Sequence, residues 1–285
     1  MNQFAFIAED LAPGDRRILP WDSSTLTCHR ITSPQHPWFR PAYDRLWATF
    51  GAADEMETQE VILRRLTREP MRETPSGALL HYELAAAEAQ GCLVATRDHT
   101  IIVPDPEHMP GFVVIHMSHI LVEPHWRRTG LAAWMRALPL QTARRVLGSL
   151  GWKNEPDIIL AAEMEPEDGS DARAIRLKAY GKAGFCRVPP EHLPYRQPDF
   201  RSAAVIDQTG GPRPLPFLLL LRRVGKEDAS HVESEELRRV VKALYSMYAE
   251  GFRPQDMSPV WDWIQNWQAP APLVPVARGP GPVQE

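Results

Sequence analysis

Charge, hydrogen-bonding capacity and a helix start come together in one stretch, Phe112 to Ala132, which reads FVVIHMSHILVEPHWRRTGLA. Its second half, Arg127-Arg128-Thr129-Gly130-Leu131-Ala132, opens a helical run. A helix start leaves backbone N–H groups unpaired at the positive end of the dipole, and a glycine there lets an anion approach the main chain. With Arg127 and Arg128 beside it, the segment suits a pyrophosphate. The first half carries His116 and His119, and a histidine with an ordinary pKa of about 6.5 is a serviceable base at neutral pH. Three residues apart on a regular strand, the two are expected on opposite faces, with His119 taking over from His116 if the strand bulges. Glu163, at the end of a later apolar segment, is a third candidate base, whereas Glu123 reads as a solvated turn residue. A lone histidine in an apolar strand can equally be a hydrogen-bonded core residue.

These residues need elements to hold them. The apolar run from Phe112 predicts one long buried strand closed at Pro124. Strands are predicted at Thr25–Ile31, in two pieces between Leu79 and Val103 hinged near Gln90-Gly91, at Asp157–Glu163 and at Pro216–Val224. Helices are predicted at His36–Phe50 and Glu57–Arg68 from apolar residues at three- and four-residue steps. The aromatics of the first helix are either core or substrate contacts. Pro139 interrupts LAAWMRALPLQTARRVL, so a kink or two short helices follow the junction. A further helix over Asp171–Ala183 ends at Gly184, a suitable C′ glycine.

The segments Val122-Glu123-Pro124 and Arg127-x-x-Gly130-x-Ala132 resemble the cofactor motif of the GCN5-related N-acetyltransferase superfamily, a strand, V-x-P, then Arg/Gln-x-x-Gly-x-Gly/Ala. Tyr180-Gly181-Lys182-Ala183-Gly184-Phe185 is similar to that family's helix-ending Y-x-K-x-G-F. The resemblance covers residues 22–225. It implies a mixed α/β fold with a central twisted mixed β-sheet flanked by helices, here with a C-terminal helical extension. It also implies acetyl-CoA, or a close acyl-CoA, as donor and an amine as acceptor, reacting directly in a ternary complex.

On that resemblance, backbone amides of Arg127, Arg128, Thr129, Gly130, Leu131 and Ala132 grip the coenzyme A. The central strand splays from its neighbour near Ile120 to Val122, so that Leu121 and Val122 hold the pantetheine arm. Tyr180 faces the departing sulfur. Proton transfer from an ordinary tyrosine to a thiolate is uphill by ~2 kcal/mol, so Tyr180 needs a lowered pKa or acts as a hydrogen-bond donor. The other reading of Tyr180 is an aromatic that packs its helix on the sheet. His116 stands about where some members, the arylalkylamine acetyltransferases among them, place a base acting through water. Arg173 departs from the usual Asn seven residues before this tyrosine.

Composition limits the classes. At 285 residues with 44% hydrophobic and 24% charged residues the chain suits a globular fold with a sizeable core. A net charge of −4 argues against a general nucleic-acid surface. Cys28, Cys92 and Cys186 form no metal-ligand spacing and no even disulfide framework, which points to a reducing compartment. No stretch approaches the ~20 apolar residues of a membrane span and the N-terminus lacks a signal-peptide pattern, so a cytoplasmic location is expected.

The chain divides into an irregular segment 1–21, the acyltransferase-like domain 22–225, a helical extension 226–268 and a disordered Pro/Gly-rich tail 269–285. Seven prolines between Val188 and Pro216 mark a long connection, either a lid or a surface excursion without a role. Ser230–Glu233 is a capping-box pattern with a second start open at Ser234. The helix that follows presents Leu237, Val240, Val241, Leu244, Met247 and Tyr248, a face covered either by this chain or by a second copy in a homodimer. A non-catalytic coenzyme A sensor or interaction module is the other functional class.

Overall fold

The computed structural model describes residues 3–18, 23–51, 56–67, 72–109, 111–166 and 169–278. Gln90 and Gly91 both have positive φ, 51° and 78°, the geometry of a two-residue hairpin that matches strand twist. They join β4 (Leu79–Ala89) to β5 (Cys92–Val103), which pair antiparallel from Leu79–Val103 to Ala89–Cys92. Ahead of them lie β1 (Gln3–Phe4), β2 (Leu26–Ile31), helices α1 (Phe39–Phe50) and α2 (Gln59–Thr67), and β3 (Arg72–Glu73).

The predicted long strand is two strands, β6 (Phe112–His116) and β7 (Ile120–Val122), separated by Met117–His119. Pro139 divides the following helix into α3 (Leu131–Ala137) and α4 (Pro139–Ser149). Then come β8 (Asp157–Met164), α5 (Asp171–Lys182) and β9 (Cys186–Arg187), with Gly184 at φ 78° ending α5 as predicted. The Pro-rich connection is ordered by a small hairpin, β10 (Arg196–Gln197) on β11 (Leu215–Pro216), around α6 (Ala203–Gln208). The closing strand β12 spans Leu218–Arg223.

The sheet runs β1-β2-β4-β5-β6-β8-β12-β9-β15, with β3 on β4 and β7 on β5, where β15 is Ala277–Arg278. All pairs are antiparallel except β6 with β8. Side chains alternate along each strand. From β5, Ile101 and Val103 join the cluster under α4 and α5, and Ile102 joins the cluster on the opposite face. One layer thus holds α3, α4 and α5; the other holds α1 and α2, which cover Ile31, Tyr82 and Leu84, together with the C-terminal helices. This is a mixed α/β fold with a central mixed β-sheet flanked by helices, as the resemblance implied.

The C-terminal extension differs from expectation. Residues His231–Glu233 form a strand, β13, and α7 (Ser234–Tyr248) begins at the second of the two possible starts. After α8 (Pro254–Asn266), β14 (Leu273–Pro275) pairs with β13, and β15 pairs with β9. Leu273–Pro275 and Ala277–Arg278 of the expected disordered tail are therefore sheet partners, because backbone groups left at two strand edges are paired by them. Residues 279–285 lie outside the described residues.

All six predicted face residues of α7 are at most 2% exposed, packed on Val114, Ile159, Ala161 and Leu219 of the sheet. Burial of six such side chains is worth on the order of 10 kcal/mol before entropy is counted. The face that could have served a homodimer is spent within the chain. The N-terminal segment is irregular but anchored, by β1 and by Leu11, buried against Trp134. Its residues 1–2 and 19–21 lie outside the described residues. Among the described residues no helix is long and apolar enough to cross a membrane.

Candidate active site

β6 and β8 pair in parallel from Phe112–Asp157 to His116–Ala161. One more bond follows, from the Met117 N–H to the Ala161 carbonyl at 2.8 Å. Beyond it the strands part: Ile120–Val122 pair with Ala95–Arg97 of β5, while β8 continues to Met164 against β12. The result is a wedge between β7 and the end of β8, in the region where the strand was expected to splay. The β7 edge away from β5 has no neighbouring strand among the described residues, and such an edge offers main-chain groups to an extended ligand.

The loop at the end of β7 is shaped by its own residues. Pro124–Trp126 forms one 3-10 turn, Arg128 has φ 65°, and Gly130, at φ 95°, precedes α3. Alternation of ordinary and left-handed backbone turns successive N–H groups toward one side, a concavity suited to anions. The Thr129 hydroxyl donates to the Trp126 carbonyl (2.7 Å) and accepts from the Leu131 N–H (3.4 Å), while Arg127 Nε donates to the Val122 carbonyl (3.1 Å). Leu131 and Val122 are buried, so only their main chain can meet a ligand; Arg127 and Arg128 are exposed. Glu123, the one carboxylate of this loop, is held by both nitrogens of an Arg45 fork at 2.5 and 2.9 Å, which lowers its pKa. That pairing removes the anion that would oppose a pyrophosphate. The set fits such a group.

His116 and His119 lie on the same face, not on opposite ones. His116 pairs directly with Thr100 of β5, and His119 bonds Asp98, which sits two residues from Thr100 on that strand. The irregular backbone at Met117–His119 breaks the two-residue alternation on which the expectation rested.

His116 and Glu163 are brought together, Nε2 to Oε2 at 2.9 Å. Ser118 Oγ lies 2.9 Å from His116 Nδ1, and the Tyr248 hydroxyl 3.3 Å from Nε2. Tyr195 and Tyr248 both donate hydrogen bonds to Glu163. Burial alone would raise the Glu163 carboxyl, but these bonds and the His116 charge outweigh it and its pKa is lowered. The two phenols move the other way, well above their usual value, through burial and then the Glu163 charge.

His119 has its own carboxylate. Its N–H donates to Asp98 Oδ1 at 2.8 Å and its Nδ1 lies 3.0 Å from the same oxygen, while Tyr82 donates to Oδ2 at 3.0 Å. Asp98 is buried, yet the His119 charge and these bonds hold it far below the carboxylate range. The ring packs 4.9 Å from that of Phe50 in α1 and is half-buried, whereas His116 is buried.

Tyr180 belongs to the opposite layer. On α5 it stands edge-on to Phe185 at 5.0 Å, against the cluster that includes Met117 and Leu160. Arg173 points into the β8–α5 connection, donating to the Pro166 carbonyl at 2.6 Å. Tyr195, Tyr248, Asp98 and Ser118 were not foreseen. Tyr248 carried a signal only as part of an apolar face, and Tyr195 stands in the Pro-rich connection between β9 and β12.

No family model matches the chain, and no curated protein matches it in sequence. Solved structures match by fold. A GNAT family acetyltransferase from Elizabethkingia anophelis with acetyl-CoA bound is 14% identical, with 70% of this chain and 98% of that one covered and a TM-score of 0.34. An acyl-CoA N-acyltransferase from Pseudomonas aeruginosa is 18% identical over 69% and 97% of the two chains, with a TM-score of 0.35. An N-acyl amino acid synthase from uncultured soil microbes is 13% identical over 71% and 92%, with a TM-score of 0.38.

Proposed function

We propose that the protein is an acyl-CoA-dependent N-acyltransferase that moves an acetyl group from acetyl-CoA to an amine. The observation that supports this best is the parting of β6–β7 from β8 after the Met117–Ala161 bond, in line with the Arg127–Gly130 loop. A thioester lying in that wedge would have its phosphates at Arg127, Arg128, Thr129, Gly130, Leu131 and Ala132 and its pantetheine along Leu121 and Val122.

In this reading the amine stands on the face of His116 and His119. A proton on His119 Nδ1 toward Asp98 leaves Nε2 as the basic nitrogen. His119 thus suits direct proton removal. His116, with Ser118 and Glu163 at its two nitrogens, suits a relay through water. The freed nitrogen pair attacks the acyl carbon, the C–S bond breaks, and its electrons leave on sulfur. Tyr180, from the opposite layer, gives the sulfur a proton.

Calorimetric titration with acetyl-CoA, CoA and a longer acyl-CoA tests the reading, followed by a thiol-release assay over a panel of small amines, aminoglycosides and peptides. Binding with turnover of at least one amine is expected. No binding to any of the three thiols and thioesters would overturn the donor assignment, and binding with no turnover over the panel would leave the sensor class in its place.

A further inference from the structure

Arg97 is buried to 1% exposure in the middle of β5, and the mechanism above does not use it. Its Nη1 donates to the Met135 carbonyl at 2.9 Å and its Nη2 reaches Met117 Sδ at 3.5 Å, while Nε has no hydrogen-bond partner among the described residues. The Met135 bond has a local cause. Four residues on stands Pro139, which has no N–H to give, so this carbonyl is orphaned by the α3–α4 break. One neutral donor would satisfy it. A guanidinium brings in addition a full charge, and charge without a paired carboxylate is costly in a protein interior.

Asp98, next along the strand, points to the other face and is engaged by His119 and Tyr82. Among the described residues the charged and titratable groups that interact with Arg97 are Tyr180 from α5, Asp98 and His99 on its own strand and Arg136 from α3, with Tyr180 acting on it most strongly. Burial lowers the guanidinium to about 10, so it remains charged at neutral pH. Its place in the sheet is specific. Arg97 pairs with Ile120 of β7 and touches Met117, the two residues that bracket the opening of the wedge.

We propose that Arg97 is the standing positive charge for the thiolate that leaves during acyl transfer. This rests on the acyltransferase reading. As the tetrahedral intermediate collapses, the C–S bond breaks and its electron pair passes to sulfur, where the buried guanidinium balances the new charge until the Tyr180 proton arrives. The same charge favours the ionised thiol of bound CoA.

The thiol of CoA bound to the protein is titrated by its thiolate absorbance, with desulfo-CoA as blank, in the parent, Arg97→Lys and Arg97→Gln. Glutamine keeps a donor for the Met135 carbonyl and removes the charge. In the parent and Arg97→Lys the thiol is expected to ionise at least one pH unit below that of free CoA. In Arg97→Gln it returns to the free value or above, with kcat down 10- to 100-fold and the KM for acetyl-CoA little changed. Equal midpoints in parent and Arg97→Gln would overturn the proposal and leave Arg97 as a tie to α3. A parent midpoint at or above that of free CoA overturns it without any variant, should Arg97→Gln not fold. Absence of CoA binding to the parent would instead sink the donor reading, and this inference with it.

Discussion

The Tyr248 hydroxyl donates to the Glu163 carboxylate, joining the last residue of α7 to the end of β8 across 85 residues of sequence. The C-terminal extension therefore reaches the hydrogen-bond network of His116. Tyr248→Phe leaves Glu163 with Tyr195 and His116 as partners. A hydrogen bond to a charged group is worth roughly 1.5–3 kcal/mol, so urea unfolding should show a loss of that order. An unchanged midpoint would mean that the bond contributes nothing to stability.

Acid should destabilise the protein in two stages. His99 is buried, and its folded pKa is pushed well down by burial and then by the Arg97 charge. The unfolded chain takes up that proton first, so stability falls as pH drops below about 6.5. Glu163 and Asp98 also have depressed folded pKa values. Their contribution is full above about 4.3 and 3.9, the ordinary values, and is lost as pH falls through the folded ones. Urea midpoints from pH 8 to 3 should show both declines. His99→Gln should remove the first and Glu163→Gln reduce the second; a single decline confined below pH 4 would contradict the assignment to His99.

Gly130 holds φ at 95°, a conformation costly for a branched side chain. Gly130→Val should keep the native circular dichroism and weaken acetyl-CoA binding by about 100-fold or more, since each displaced charge-assisted contact to phosphate is worth roughly 1.5–3 kcal/mol. Parent-like affinity by calorimetry would move the phosphate site away from this loop.

Tyr180→Phe keeps the ring that meets Phe185 and removes only the hydroxyl. If Tyr180 supplies the sulfur proton, kcat should drop by about 10²-fold or more with KM nearly constant. A parent-like kcat in steady-state thiol release would reduce Tyr180 to its packing role.

The local rules of the chain were enough for much of this. Gln90-Gly91 specified a hairpin, Pro139 a helix break and Gly184 a helix end, because each acts on backbone within a few residues of itself. Gly130 marked the start of α3 for the same reason, and apolar periodicity located the helices and most strands to within a few residues. What the sequence could not determine depends on partners far along the chain. The break at Met117–His119 occurs where β6 loses β8 and β7 takes up β5, a choice of pairing that no local pattern encodes. That break alone puts His116 and His119 on one face. Residues 273–278 pair because two strand edges elsewhere are open to them. Tyr195, Tyr248 and Glu163 meet only once α7 has buried its apolar face on the sheet, and the charge of Arg97 is a buried one only when the surrounding layers exclude water.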